Sequence, residues 1–169
     1  ELRFSGRAMD RVDWTFGGFY YDGSAANDQQ VYIPFFVGNP GVPVPLANTH
    51  NVHDNSNISV FGHAVVDLTE RLSLTAGLRY SRDEKLVSFD NSIAQFGQDI
   101  DGKRTDWRLG LDYRINDDVM LYTSASTGYR PGGYNPRPFQ VTQQVAVGGE
   151  EPTAYELGVK ADLFNNTLR

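Results

Sequence analysis

The chain has 169 residues, the length of one ordinary domain, and its 40% hydrophobic and 21% charged residues exclude a disordered chain. The net charge of −6 argues against a nucleic-acid-binding surface, and the absence of cysteine excludes a disulfide framework and a cysteine-ligated metal. No apolar run reaches the roughly 18 residues that a membrane helix needs, but a strand of a membrane barrel needs only about 10 alternating residues.

Period-two alternation of apolar and polar residues predicts seven strands along the chain. The alternation is clearest in the central hairpin, residues 57–82, where small or polar residues separate Leu72, Leu74, Ala76, Leu78 and Tyr80. The other strands are predicted at residues 1–8, 14–21, 103–115, 119–127 and 153–163. We therefore expect an all-β chain.

The connections between the predicted strands alternate between short and long. The short turns are residues 9–13, 67–71, 116–118 and 164–167, and the long loops are residues 22–56, 83–102 and 128–152. This order puts all the short turns at one end of the sheet and all the long loops at the other. It is typical of an antiparallel up-and-down meander in a transmembrane β-barrel, with short periplasmic turns and long external loops.

The two sides of the predicted strands differ in polarity. Charges at alternating positions, such as Arg108, Asp112 and Arg114, suit the wet lumen of a barrel and equally the solvent face of a soluble sheet. Two aromatic levels flank the apolar positions, as expected at two lipid interfaces. Trp14 and Tyr113 lie toward the short turns, and toward the long loops lie Tyr20, Tyr80, Trp107, Tyr129 and Tyr155.

Seven strands do not close a bacterial barrel, because such barrels have an even number and an open edge is not tolerated in hydrocarbon. We therefore expect the chain to be a piece of a longer protein that does not insert alone. Two alternatives remain at this point, a segment of a passive porin-like barrel and a soluble β-sandwich that binds ligands as lectins do. The sandwich would bury its apolar side in a packed core, including Leu74, Leu78, Leu109 and Leu111.

Three segments resemble the barrel of TonB-dependent outer-membrane receptors. They are LTERLSLTAGLRYSRDEK (68–85), DVMLYTSASTGYRPGGYN (118–135) and EEPTAYELGVKADLFNNTLR (150–169). The resemblance implies a 22-stranded barrel with an N-terminal plug domain, in the outer membrane of a Gram-negative bacterium. It also implies a transporter and not an enzyme, with no cofactor.

The resemblance further implies the partners of the protein. These are outer-membrane lipid, a scarce extracellular ligand such as a ferric siderophore, and the TonB complex, which acts through the plug. Residues 1–169 contain no plug, no TonB box and no final strand ending in an aromatic residue, so we expect a partial barrel. Ligand identity does not follow, because the long loops carry little of the resemblance.

The candidate ligand-binding residues follow the sixth strand and are Tyr129, Arg130, Tyr134, Asn135 and Arg137. The two arginines suit an anionic ligand, and the two tyrosines suit stacking on it. Alternatively, the glycines and prolines of this segment only shape the exit from the strand. Tyr32, Phe35 and Phe36 in the first long loop would contact ligand or pack under a loop.

No arrangement of residues indicates catalysis, a phosphate loop or a nucleotide site. His50, His53 and Asp54 offer metal ligands in sequence, but two histidines and an aspartate are more often ordinary surface residues. His63 is expected on the polar side of its strand. We predict no metal site.

Overall fold

The structure, a computed structural model, describes residues 1–33, 44–91, 95–135, 141–143 and 145–162. The strands are β1 (Leu2–Ala8), β2 (Val12–Ile33), β3 (Val44–Asp67), β4 (Leu72–Asn91), β5 (Gln95–Arg114), β6 (Val119–Thr127) and β7 (Thr153–Ala161). A short 3₁₀ helix, Val141–Gln143, lies between β6 and β7. Within the described ranges, no helix is long and apolar enough to span a membrane.

The seven strands form one antiparallel sheet in the order β1-β2-β3-β4-β5-β6-β7, so each strand pairs with the next one along the chain. The predicted all-β meander is therefore confirmed. The single sheet also accounts for the short turns, since antiparallel neighbours need only a few connecting residues.

Polar side chains close two of the predicted short turns. The Thr69 hydroxyl accepts hydrogen bonds from the backbone N–H groups of Arg71 and Leu72, at 3.2 and 3.0 Å. The Asn116 side chain accepts one from the backbone N–H of Asp118 at 3.0 Å. The turn predicted at residues 164–167 lies outside the described residues.

The predicted long loops at residues 22–56 and 83–102 are wrong in extent. Strand β2 continues to Ile33 and β3 begins at Val44, while β4 continues to Asn91 and β5 begins at Gln95. Polar residues on both sides of these strand ends remove the alternation on which a strand prediction depends. Backbone pairing nevertheless continues there in regular register, apart from one irregularity between Val31 and Tyr32.

We call the side of the sheet that carries the apolar residues the apolar face and the opposite side the polar face. The apolar face comprises the even-numbered positions of β1 to β4 and the odd-numbered positions of β5 to β7, and the pairing register aligns them across all seven strands. Within seven ranges, every position on this face is uncharged, and we call each such run of alternate positions an uncharged stripe. The ranges are residues 2–8, 12–20, 58–66, 72–80, 105–113, 119–127 and 153–161.

The apolar face does not enclose a core. Leu78, Leu109 and Leu111 are 59%, 51% and 42% exposed, where a soluble sandwich would bury them. Among the described residues, the buried hydrophobic side chains are Val87 and Phe89, and both lie on the polar side of β4. The sandwich interpretation is therefore wrong, because a single sheet has no second layer to cover these leucines.

Candidate functional site

Between β6 and β7, the described residues 128–135 and 145–152 form two arms, and side chains of these arms lie against the polar face. The two arms pair through isolated bridges, Arg130 with Glu150 and Gly133 with Val147. Both bridges are backbone hydrogen bonds of 2.7 to 3.0 Å in each direction. Gly132 is buried between the arms, and a Cβ atom there would lie 2.6 Å from the Val147 carbonyl oxygen. The close approach of the arms therefore requires glycine.

Side chains of three strands hold this loop against the sheet. Lys85 Nζ on β4 donates to the Gly132 carbonyl oxygen at 3.2 Å, and Arg104 Nη1 on β5 lies 2.5 Å from the Glu151 carboxylate. On β3, the His53 ring stacks on Tyr134 with 5.6 Å between ring centroids. We call these three attachments the loop latch.

A hydrogen bond between His53 Nδ1 and the Tyr134 hydroxyl reinforces this stack. Tyr129 also turns to the polar face, with its hydroxyl over buried Gly102 of β5, so it is not one of the aromatics at the edge of the apolar face. The partial burial of both tyrosines raises the pKa of each phenol, and the Asp83 and Glu151 carboxylates raise the pKa of Tyr129 further. Both phenols are therefore neutral at physiological pH.

The other candidate ligand residues are placed differently. The Arg130 side chain is 80% exposed and lies 3.9 Å from the Glu150 carboxylate. Asn135 is half-buried next to Tyr134 and interacts with other residues of the chain. Arg137 lies outside the described residues, as do Phe35 and Phe36.

His50 and His53, in the N-terminal half of β3, do not converge on a common point. Alternation along the strand places His50 and His53 on opposite sides of the sheet. His50 Nδ1 lies 2.5 Å from the Asp28 carboxylate, while His53 contacts Tyr134. The described part of the chain contains no group of three or more potential metal ligands. His63 lies on the polar face as predicted, where it pairs with Thr15 and Gly77.

Sequence reasoning missed a second polar-face group, which lies below the loop. Arg79 of β4 is 6.0 Å from the Phe19 ring centroid and 5.8 Å from that of Phe61. Its guanidinium donates to the Ser59 and Ser81 hydroxyls at 2.7 and 3.1 Å. Two aromatic residues on a polar face were the available signal, but their distance in sequence hid the cluster.

The uncharged stripes, the polar opposite face and the meander together define a segment of a β-barrel wall. The family model described as TonB dependent receptor-like, beta-barrel, matches residues 2–169. The chain therefore belongs to this family of receptor barrels.

Two solved structures share the fold. The ferric yersiniabactin uptake receptor FyuA from Yersinia pestis matches with a TM-score of 0.79 and 22% identity, over 94% of this chain and 25% of that one. The siderophore receptor PiuA from Acinetobacter baumannii matches with a TM-score of 0.76 and 17% identity, over 95% of this chain and 28% of that one. The chain thus spans about a quarter of each of these receptors.

Proposed function

We propose that the chain forms part of the wall of an outer-membrane receptor that imports a scarce extracellular ligand, such as a ferric siderophore, with energy supplied through TonB. The observation that carries this proposal is the apolar face, whose uncharged stripes stay in register over all seven strands. Family membership supports the receptor class. The names of the two similar structures support the ligand class.

The length of the stripes fits a bilayer. Six of the seven stripes are nine residues long, as in residues 72–80, which is about 30 Å of strand. With the 35–45° tilt of barrel strands, this length spans roughly 21–24 Å, close to the ~25 Å apolar band of outer-membrane barrels. The apolar face therefore suits lipid, and the polar face suits the lumen.

The upper end of the stripes is the end away from the short turns. A charged network on the same side of the sheet lies at this end. Arg82 lies 2.5 Å from the Glu84 carboxylate and 3.7 Å from that of Asp101, and Lys103 lies 3.8 Å from Asp101. Charged groups are costly in hydrocarbon, so this network marks the outer limit of the lipid contact. The strand ends beyond it extend into water, on the external side.

The loop over the polar face stands at the external mouth of the lumen in this arrangement. We propose that it presents Tyr129, Arg130, Tyr134, Asn135 and Arg137 to the ligand. Exposed Arg130 would meet an anionic ligand first, whereas Tyr134 becomes available only when the loop latch opens. A plug domain and a TonB box, both outside residues 1–169, would complete the transport cycle.

The intact receptor tests this proposal when it is expressed in Gram-negative cells that lack their own ferric-chelate receptors. Uptake of ⁵⁵Fe supplied as an anionic tris-catecholate or a neutral tris-hydroxamate should require both the receptor and TonB. Diffusion of the chelates that is independent of TonB would contradict the proposal. As a loop test, Arg130→Gln should lower uptake of the anionic chelate, while Arg11→Gln in the first short turn should not.

A further inference from the structure

We propose that Arg79 forms an anion seat with Phe19, Phe61, Ser59 and Ser81, which receives a carboxylate or similar oxyanion group of the imported ligand. This inference rests on the proposed import function and names the chemical group that the lumen recognises. The five residues come from three adjacent strands, and all lie on the polar face.

The guanidinium of Arg79 is held in a fixed orientation. Ser59 and Ser81, whose hydroxyls accept its hydrogen bonds, are only 2% and 6% exposed. The Phe19 and Phe61 rings lie within cation–π distance and limit its movement. Buried hydroxyls and aromatic rings thus preorganise a cation whose side chain remains exposed to the lumen.

Arg79 lacks the carboxylate partner that some cations of the polar face have, such as Arg7 and Arg104. It forms no ion pair with any described residue, whereas Arg7 lies 3.8 Å from the carboxylates of Asp13 and Asp67. Asp106 is the register partner of Arg79, but its carboxylate accepts a hydrogen bond from the Thr127 hydroxyl and lies 3.5 Å from Arg104. The positive charge of Arg79 is therefore open to an incoming anion.

The hydrogen-bonding capacity of Arg79 is only partly used. A guanidinium has five N–H donors, and the two serine hydroxyls engage one on Nε and one on Nη2. The remaining donors lie on the two terminal nitrogens, the edge that binds a carboxylate in bidentate fashion. The serines accept without adding negative charge, so they orient Arg79 and leave its affinity for anions intact.

The seat lies on the route that a ligand would take. Arg79 follows Leu78 and precedes Tyr80, so it is level with the upper end of the uncharged stripe of β4. Lys85, which holds the loop, is six residues further along the same strand, about 20 Å away. A ligand that passes the loop therefore meets Arg79 next on this wall of the lumen.

Arginine labelling of the intact receptor tests the seat without knowledge of the ligand. Phenylglyoxal should modify Arg79, and citrate at about ten times its dissociation constant should slow this reaction about tenfold through a charge-assisted bidentate contact. Mass spectrometry follows the rate, with Arg7, which is ion-paired with Asp13 and Asp67, as the internal control. Sodium chloride matches the ionic strength. Equal protection of both arginines, or no protection, overturns the seat. An Arg79 that is unreactive without citrate is occupied by another segment of the receptor, which also overturns it.

Variants then separate the seat from the proposed function. Arg79→Gln should weaken binding of a ferric tris-catecholate about 10- to 100-fold, with little change for a neutral ferric tris-hydroxamate. Arg79→Lys should recover part of the loss, and Arg7→Gln should leave both chelates unaffected. Equal loss of both chelates, or a lower melting temperature of the ligand-free receptor, shows a structural role and overturns the seat. If citrate protects Arg79 but the wild-type receptor transports neither chelate, ferric-chelate import fails and the seat stands.

Discussion

The long strands β2 to β5 have a lower half, which lies toward the short turns and carries the uncharged stripes, and an upper half beyond these stripes. Both halves use the same antiparallel pairing, but in two different environments. In the lower half, one face is uncharged over a bilayer's thickness and the other is polar. In the upper half, the apolar side gives way to carboxylates, and the inner side is covered by the loop between β6 and β7. The side of the upper half that continues the apolar face carries Asp22, Asp28, Asp54, Glu84, Asp90, Asp99 and Asp101.

The difference shows that the stability of the two halves has different sources. Lipid would stabilise the lower half, because its leucines find no partner within the sheet. The upper half is held by backbone hydrogen bonds between strands and by the loop latch. Substitutions of the same kind should therefore have different effects in the two halves.

The largest effect is expected for a charge in the middle of the apolar face. Leu109→Arg should lower the free energy of unfolding of the intact receptor in liposomes by about 2–4 kcal/mol, the cost of an arginine near the bilayer midplane. Leu86→Arg is the matched control, since Leu86 lies on the same side in the upper half and both leucines are 51% exposed. It should change stability by less than about 0.5 kcal/mol. Equal costs in denaturant unfolding would contradict the division into two halves.

A smaller effect is expected where the loop arms meet. Gly132→Ala places a Cβ atom 2.6 Å from the Val147 carbonyl oxygen, and we expect this clash to destabilise the loop by about 1–3 kcal/mol. Hydrogen exchange at the Arg130 and Glu150 amides should speed up accordingly. Gly133→Ala is the control, because a Cβ atom there has no neighbour within 4 Å. Accelerated exchange in both variants would show that backbone conformation, rather than the clash, is responsible.

The sequence predicted the lower half because alternation there reflects a real difference between the two sides. From Leu72 to Tyr80, apolar residues at the even positions alternate with small or polar residues at the odd positions. The pairing register confirms that each apolar position aligns with apolar-face positions of the neighbouring strands. Residues 22–33 and 44–56 carried no such signal, because Asn, Asp, Ser and Gln occur on both sides. Their strand structure depends on pairing with a neighbour, which no local pattern reports.

The candidate site could be predicted only in part. The segment from Tyr129 to Asn135 was identified from its residue types, but its inward fold was not. That fold depends on contacts between residues far apart in sequence, 47 positions for Lys85 and Gly132 and 81 for His53 and Tyr134. Arg79 was visible only as one of several alternating polar residues. Its aromatic and serine neighbours come from two other strands and from its own.

A modest effect is expected for the hydroxyl of the loop latch. Tyr134→Phe keeps the stack on His53 but removes the hydrogen bond, which should cost about 0.5–1.5 kcal/mol of loop stability. Hydrogen exchange of the loop amides measures this cost. Tyr32→Phe removes an exposed hydroxyl that donates to Gln30 at 2.7 Å, and it should leave the same amides unchanged. If Tyr134→Phe also has no effect, the stack alone holds this attachment.

The smallest effect is the pH dependence of the loop latch. Burial raises the pKa of Tyr134 above the ordinary value of 10.0, so the neutral phenol is favoured in the closed loop. The resulting stabilisation is fully present below pH 10 and is lost as the pH rises through the raised pKa. Absorbance near 295 nm should show late phenol titration, to which Tyr129 also contributes, and Tyr134→Phe should remove one phenol from it. The Tyr134 titration should coincide with faster exchange of the loop amides. An unshifted titration would mean that the loop stands open, and the upper half of the sheet would then lack its cover on the polar side.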